Sequence, residues 1–138
     1  MSATLYVKFP ESHYGGFPCY VMPKHILDSG YCSCISDGCV ELGNITGNLV
    51  TMCQHVPVSE TESLYDAIWH TGEHGYTTQD LLRMYTEADT FVLLHKEILS
   101  EYDADNGWGT VSSLRNFLGQ SIEILKIFDG FPCCVIRN

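Results

Sequence analysis

The stretch TTQDLLRMYTEADTFVLLHKEILSEYDADNGWGTVSSLRNFLGQSIEILKIF (residues 77–128) decides the fold of this chain, because it predicts a helix, a sharp turn and a second helix. In the second helix, apolar residues recur at steps of three and four, namely Val111, Leu114, Phe117, Leu118, Ile122, Leu125 and Phe128. Thr110 is placed to cap its first turn. Gly130 followed by Pro132 predicts where it ends.

The first helix is predicted to begin at Thr77 or Thr78. Its apolar positions fall near one face and comprise Leu81, Leu82, Tyr85, Ala88, Val92, Leu99 and Tyr102. Two interpretations stay open. The segment forms one long helix, or it breaks into two near Asp89-Thr90.

The segment Asn106-Gly107-Trp108-Gly109 joins the two helices, and its glycines permit a sharp reversal with positive φ. Trp108 has two interpretations. It plugs the gap between the helices, with its indole N–H bonded to a carbonyl, or it forms an exposed platform on which a base or ring stacks. Burial is the expected outcome, because large aromatic side chains usually fill cores.

The first half of the chain predicts short strands. Leu5, Val7 and Phe9 alternate with polar residues up to Pro10, and residues 14–18 predict a turn into a second strand over residues 19–22, which makes a hairpin. Residues 39–42 predict a third strand. Residues 133–136 predict a closing strand that returns to the same sheet.

A capping box, Ser59 with Glu62, predicts the start of a short helix through Leu64 and Trp69. Strands followed by helices indicate the α+β class. We therefore expect a single domain over residues 1–138, in which a small N-terminal antiparallel sheet packs on a C-terminal helix-turn-helix pair and a C-terminal strand closes the sheet.

Charge and hydropathy restrict the kinds of partner and the location that we expect for this chain. Seven Lys and Arg against seventeen Asp and Glu give 7 − 17 = −10, which opposes direct binding to nucleic acid and suits a basic protein partner. The start of the chain lacks the basic and apolar regions of a signal peptide, and no apolar run has the length of a membrane span. A cytoplasmic location is therefore expected, without a membrane partner.

Cysteine spacing offers one metal candidate. Cys32, Cys34 and Cys39 lie close together in a turn-rich segment, where their thiolates would hold Zn²⁺ with a fourth ligand from Cys19, His25 or Cys53. The alternative is that the seven cysteines are free thiols packed as small apolar groups, and this is the favoured interpretation, since a zinc site usually shows two clear pairs. No other cofactor is indicated.

Two further groups of residues suggest binding. His70 and His74 have the spacing of a helical metal site, but Gly72 and Gly75 predict a surface loop there instead. Arg115 lies one helical turn past Trp108 and the Gly109 turn. An aromatic ring, an arginine and the free N–H groups of a helix start would together form a corner for a nucleotide, unless Arg115 faces solvent.

The second half of the chain resembles a group of small uncharacterised proteins of bacteriophages, prophages and actinobacteria, over roughly residues 41–137. The matching pieces are NITGN (residues 44–48), LYDAIW (64–69), NGWGT (106–110) and VIR (135–137). The chain departs from the group at Val111-Ser112, where the group usually has an aromatic and an acidic residue. The resemblance implies a phage or mobile-element origin and assigns no activity.

Together these features predict a non-enzymatic binding protein of phage type. It would act in counter-defence, by blocking a host immune protein or by sequestering a nucleotide signal. The alternatives are a small thiol- or zinc-dependent enzyme, and a structural or assembly factor with only a protein partner and a homo-oligomeric form. The candidate ligand-binding residues are Asn44, Asn48, Asn106, Gly107, Trp108, Gly109 and Arg115.

Overall fold

The computed structural model describes residues 2–8, 11–14, 17–20 and 39–137, with side chains described over 2–8 and 40–137. Its strands are β1 (Ser2–Lys8), β2 (Glu11–Tyr14), β3 (Phe17–Tyr20), β4 (Cys39–Thr46) and β5 (Cys134–Arg137). Its α-helices are α1 (Val50–Gln54), α2 (Leu64–Trp69), α3 (Thr71–His74), α4 (Thr78–Leu94), α5 (Lys96–Leu99) and α6 (Val111–Ile127). Two 3-10 turns, η1 (Gly47–Leu49) and η2 (Ser100–Tyr102), precede α1 and follow α5.

A three-stranded antiparallel sheet with the order β4-β1-β5 forms one layer. The apolar residues of β1 alternate with polar ones, so Ala3, Leu5 and Val7 all face the core. Helix α6 packs on β4, α2 contacts β1 and α3 contacts β5. The predicted α+β class is confirmed, including the closing strand, which lies one residue later than predicted.

Strand β4 contains a bulge and a glycine where α6 packs on the sheet. Leu5 lies opposite Gly43 and Tyr6 opposite Glu41, so β4 carries one extra residue there, and its buried positions change from even to odd numbers at Ile45. A Cβ on Gly43 would lie 2.9 Å from Cε2 of Phe117. The glycine therefore leaves room for α6 against the strand.

The helix pair forms as the apolar pattern predicts. Asp80 N–H donates to Thr77 Oγ1 over 3.2 Å, and Ser113 N–H donates to Thr110 Oγ1 over 3.2 Å, so both threonines are N-caps. Gly130 has a φ of 75° after α6, as a helix stop requires.

The first helix breaks at His95, so the structure has neither the single long helix nor the alternative break near Asp89-Thr90. Helix α4 continues to Leu94 because Ala88 and Val92 stay buried through this region. The ring of His95 stacks on Phe91 at 4.0 Å between centroids, and its Nδ1 is 2.9 Å from the carbonyl oxygen of Phe91. A separate helix, α5, follows.

The predicted hairpin between the first strand and residues 19–22 is wrong in its pairing. Strand β3 pairs with β2, and Tyr14 lies opposite Phe17. Strand β1 pairs instead with β4 and β5, so it lies at the centre of a three-stranded sheet, and an isolated two-stranded hairpin would be only marginally stable.

The start of α2 also differs from the prediction. Ser63 caps this helix, and Asp66 accepts from the Ser63 N–H over 2.9 Å. Ser59 instead accepts from the N–H groups of Thr61 and Glu62 in the preceding turn. A Ser-x-x-acid pattern occurs twice here, and only the second adjoins the apolar run.

The core gathers residues from every layer, including Tyr85, Phe128, Leu5, Leu42 and Met52. None of the helices that the structure describes has both the length and the apolar character that crossing a bilayer needs.

Candidate binding turn

Residues 103–110, here called the Trp108 turn, hold their shape through their own hydrogen bonds. Gly107 N–H donates to Ala104 O over 3.0 Å, and Trp108 N–H donates to Asn106 Oδ1 over 2.9 Å. Ala104 N–H donates to Gly109 O over 2.9 Å and closes the loop. Gly107 and Gly109 have φ values of 75° and 136°, which only glycine adopts readily.

Asn48 anchors the turn to the end of the sheet. Its Nδ2 donates to Trp108 O over 2.7 Å, and this bond joins residues 60 positions apart. A Cβ on Gly109 would lie 2.8 Å from Cβ of Asn48, closer than real Cβ atoms approach. The structure thus brings together five of the predicted site residues: Asn48, Asn106, Gly107, Trp108 and Gly109.

The indole of Trp108 projects into solvent, with 73% of the residue exposed. The expectation that it plugs the gap between the helices is wrong. Tyr85, fully buried on α4, fills that space and meets the ring of Phe117 at 5.9 Å between centroids. The other tryptophan, Trp69, is 2% exposed and belongs to the core.

Arg115 forms an ion pair and is not a free cation. Its Nε donates to Asp89 Oδ1 over 3.1 Å, which ties α6 to α4. At the start of α6, Val111 N–H donates to a carboxylate oxygen of Asp103 over 3.0 Å. A carboxylate therefore already occupies the position that an anionic ligand would take at this helix terminus.

Asn44 lies on the sheet, where its Nδ2 donates to Thr4 Oγ1 over 2.6 Å. It joins β4 to β1. The role of Asn44 is therefore to join the two strands, and it does not contribute to the Trp108 turn.

The segment with His70 and His74 is helical, so the predicted surface loop is wrong. Helix α3 spans Thr71–His74 and ends at Gly75, whose φ is 68°, while Gly72 stays inside it. His70 Nδ1 is 3.0 Å from Glu73, and His74 Nδ1 is 3.9 Å from Glu62, which also accepts from the Tyr76 hydroxyl. The two histidines thus contact different carboxylates.

The zinc candidates Cys32 and Cys34 lie outside the described residues, and only the backbone of Cys39 is described, as the start of β4. Elsewhere in the described part of the chain, no three His, Cys, Asp or Glu residues are placed to hold a metal ion. Burial raises the pKa of Cys53 and, together with the neighbouring Cys134, raises the pKa of Cys133 to about 11. Neither of these two thiols is poised as a nucleophile.

Alkylation should separate these thiols. With iodoacetamide at about pH 8, below the ordinary pKa of a thiol, we expect the exposed Cys134 to react at least about tenfold faster than Cys53 or Cys133. Site-resolved mass spectrometry of the digested protein measures the three rates. Labelling after denaturation is the control and should equalise them, whereas equal rates in the folded protein would contradict the burial of Cys53 and Cys133.

Sequence reasoning missed three roles. The cap that Asp103 provides to α6 and the pairing of Asp89 with Arg115 depend on how the helices pack, and no local pattern predicts them. The third is the exposure of the apolar residues Leu93, Leu94 and Ile98 where α4 ends. The sequence does indicate this exposure, because these three residues lie off the apolar stripe that Leu81, Tyr85, Ala88 and Val92 define.

Comparison of the chain with protein-family models, with curated proteins and with solved structures finds no match in any of the three. The resemblance to phage proteins stays a prediction.

Proposed function

We propose that this chain is a non-enzymatic binding protein that docks a protein partner through the Trp108 turn. The proposal rests on the exposure of Trp108, which is 73% exposed on a turn that is closed by three hydrogen bonds of its own and anchored by a fourth from Asn48. Tryptophan is over-represented among the residues that dominate binding energy at interfaces. A rigid turn also lowers the entropy lost on binding.

Charge around the turn indicates the chemistry of the partner. Asp103 and Asp105 lie exposed on it, Glu101 precedes it, and residues 97–114 contain no Lys or Arg. Lys or Arg side chains of a partner would meet these carboxylates and stack on the indole face. A basic protein surface suits this site.

A nucleotide suits the same site less well. Its phosphates would meet Asp103 and Asp105, and the nearest arginine, Arg115, is already paired with Asp89. Of the two counter-defence roles, blocking a host protein therefore fits these contacts better than sequestering a nucleotide signal. The phage resemblance supports a host partner, met in the host cytoplasm.

Truncation of the indole tests the proposal. Trp108→Ala should raise the Kd for the partner about thirtyfold, as expected for loss of a hot-spot residue worth ~2 kcal/mol. The partner is captured from host-cell lysate on immobilised protein, purified, and titrated against each variant. Asn116→Ala, which alters an exposed residue of α6, is the matched control and should bind like the unaltered protein.

Equal affinity of Trp108→Ala and the unaltered protein for the partner would overturn the proposal.

Native mass spectrometry tests the alternative that the turn binds a nucleotide. A retained mass of nucleotide size that is lost on denaturation, and is absent from Trp108→Ala, would replace the protein partner with a small ligand at the same turn.

A further inference from the structure

Exposed apolar side chains concentrate at a second place, where α4 ends. The large exposed apolar residues in the described chain are Leu93, Leu94, Ile98 and Trp108, at 46%, 74%, 62% and 73% exposure. Three of these four lie within six consecutive residues. Such clusters on a protein surface mark sites of association, whereas isolated exposed apolar residues are ordinary.

The surface is shaped before any partner arrives. His95 stacks on Phe91 and turns the chain between the two helices, and Leu99, 2% exposed, holds α5 against the core. Leu93, Leu94 and Ile98, with Lys96 and Glu97, line one shallow depression of about 270 Å³. We call these five residues the α4–α5 surface.

The α4–α5 surface carries one positive and one negative side chain, Lys96 and Glu97. Lys96 and Glu97 are exposed neighbours, and neither side chain has an ion-pair partner among the described residues, although Lys126 pairs with Glu123 and Arg115 with Asp89. One positive and one negative group beside an apolar centre match the same patch after a twofold rotation. The Trp108 turn differs, since its charges are all negative.

We propose that the α4–α5 surface binds a second copy of this chain in a twofold-symmetric dimer. Leu94 and Ile98 of the two copies pack together at the axis, and Lys96 of each copy pairs with Glu97 of the other. The net charge of −10 on each copy opposes association. At about 0.15 M salt, however, charges more than roughly 8 Å apart are largely screened, while contacts across the axis are not.

Sedimentation equilibrium at about 0.15 M salt measures the dimerisation constant and tests the proposal. The unaltered protein should dimerise, and Leu94→Asp should weaken dimerisation at least about tenfold because it places two carboxylates at the axis. Leu94 is 74% exposed, so this variant should fold, and its near-ultraviolet circular dichroism checks that it does.

Charge reversal identifies the partner as a second copy. Lys96→Glu and Glu97→Lys should each weaken dimerisation, because each places like charges opposite one another, and the double variant should restore it. Trp108→Ala should dimerise normally, which separates this proposal from the proposed function. A protein that stays monomeric, a double variant that stays weakened, or a dimer lost in Trp108→Ala would each overturn the proposal.

Discussion

Replacing Gly109 by alanine is expected to lower the free energy of unfolding by about 3 kcal/mol. The φ of 136° is one that L side chains rarely adopt, and the new Cβ would lie 2.8 Å from Cβ and 3.4 Å from the carbonyl carbon of Asn48. Asn48 cannot retreat easily, because its N–H bonds Thr46 Oγ1 and its side chain holds Trp108 O. Urea unfolding followed by far-ultraviolet circular dichroism measures the loss.

Gly107→Ala is the matched control for this substitution. Gly107 also has a positive φ, 75°, but no atom of the described part of the chain lies within 4 Å of its added Cβ. Its cost should be only about 1 kcal/mol, from the backbone conformation alone. Equal costs at the two glycines would show that Gly109 does not approach Asn48 closely.

The second large effect is expected at Tyr85, where truncation should lower the free energy of unfolding and a conservative change should raise it. Tyr85→Ala should cost about 4 kcal/mol, because a fully buried ring packed on Phe117 is replaced by a cavity. Tyr85→Phe should raise the free energy of unfolding by about 1 kcal/mol, because the hydroxyl is buried and has no hydrogen-bond partner among the described residues. Burial likewise raises the pKa of this phenol. Thermal and urea unfolding of both variants measure the two changes.

Tyr102→Phe is the control for the conservative change, since Tyr102 is only half-buried and stacks on His55. Its effect on unfolding should stay within about 0.5 kcal/mol. A loss of more than about 1 kcal/mol in Tyr85→Phe would contradict the prediction, since it would reveal a hydrogen bond made by the hydroxyl.

The two proposed surfaces differ in a way that assigns them different occupants. The Trp108 turn combines one large aromatic residue with carboxylates, and it suits a basic partner. The α4–α5 surface combines aliphatic residues with one charge of each sign, and it suits a second copy. A dimer through the α4–α5 surface would present two Trp108 turns, so binding to a partner with repeated sites would gain from avidity.

The helix pair was predictable from the sequence because its signals are local. In the apolar stripe from Val111 to Phe128, each residue lies three or four positions from the next. The caps at Thr77 and Thr110 likewise bond residues three positions along the chain. The pairing of β1 was not predictable, because its alternating pattern predicts a strand but does not select the strand that pairs with it. Its partners, β4 and β5, are set by long-range packing.

By itself the sequence determined the fold class, the two long helices with their caps, and a tight glycine turn between them, since each depends on residues close together in the chain. Only the tertiary structure decided what that turn presents. Asn48 reaches Trp108 across 60 positions and Arg115 reaches Asp89 across 26, so neither contact has a local signal. Trp108 is exposed because Tyr85 already fills the gap between the helices, and that competition is settled by packing.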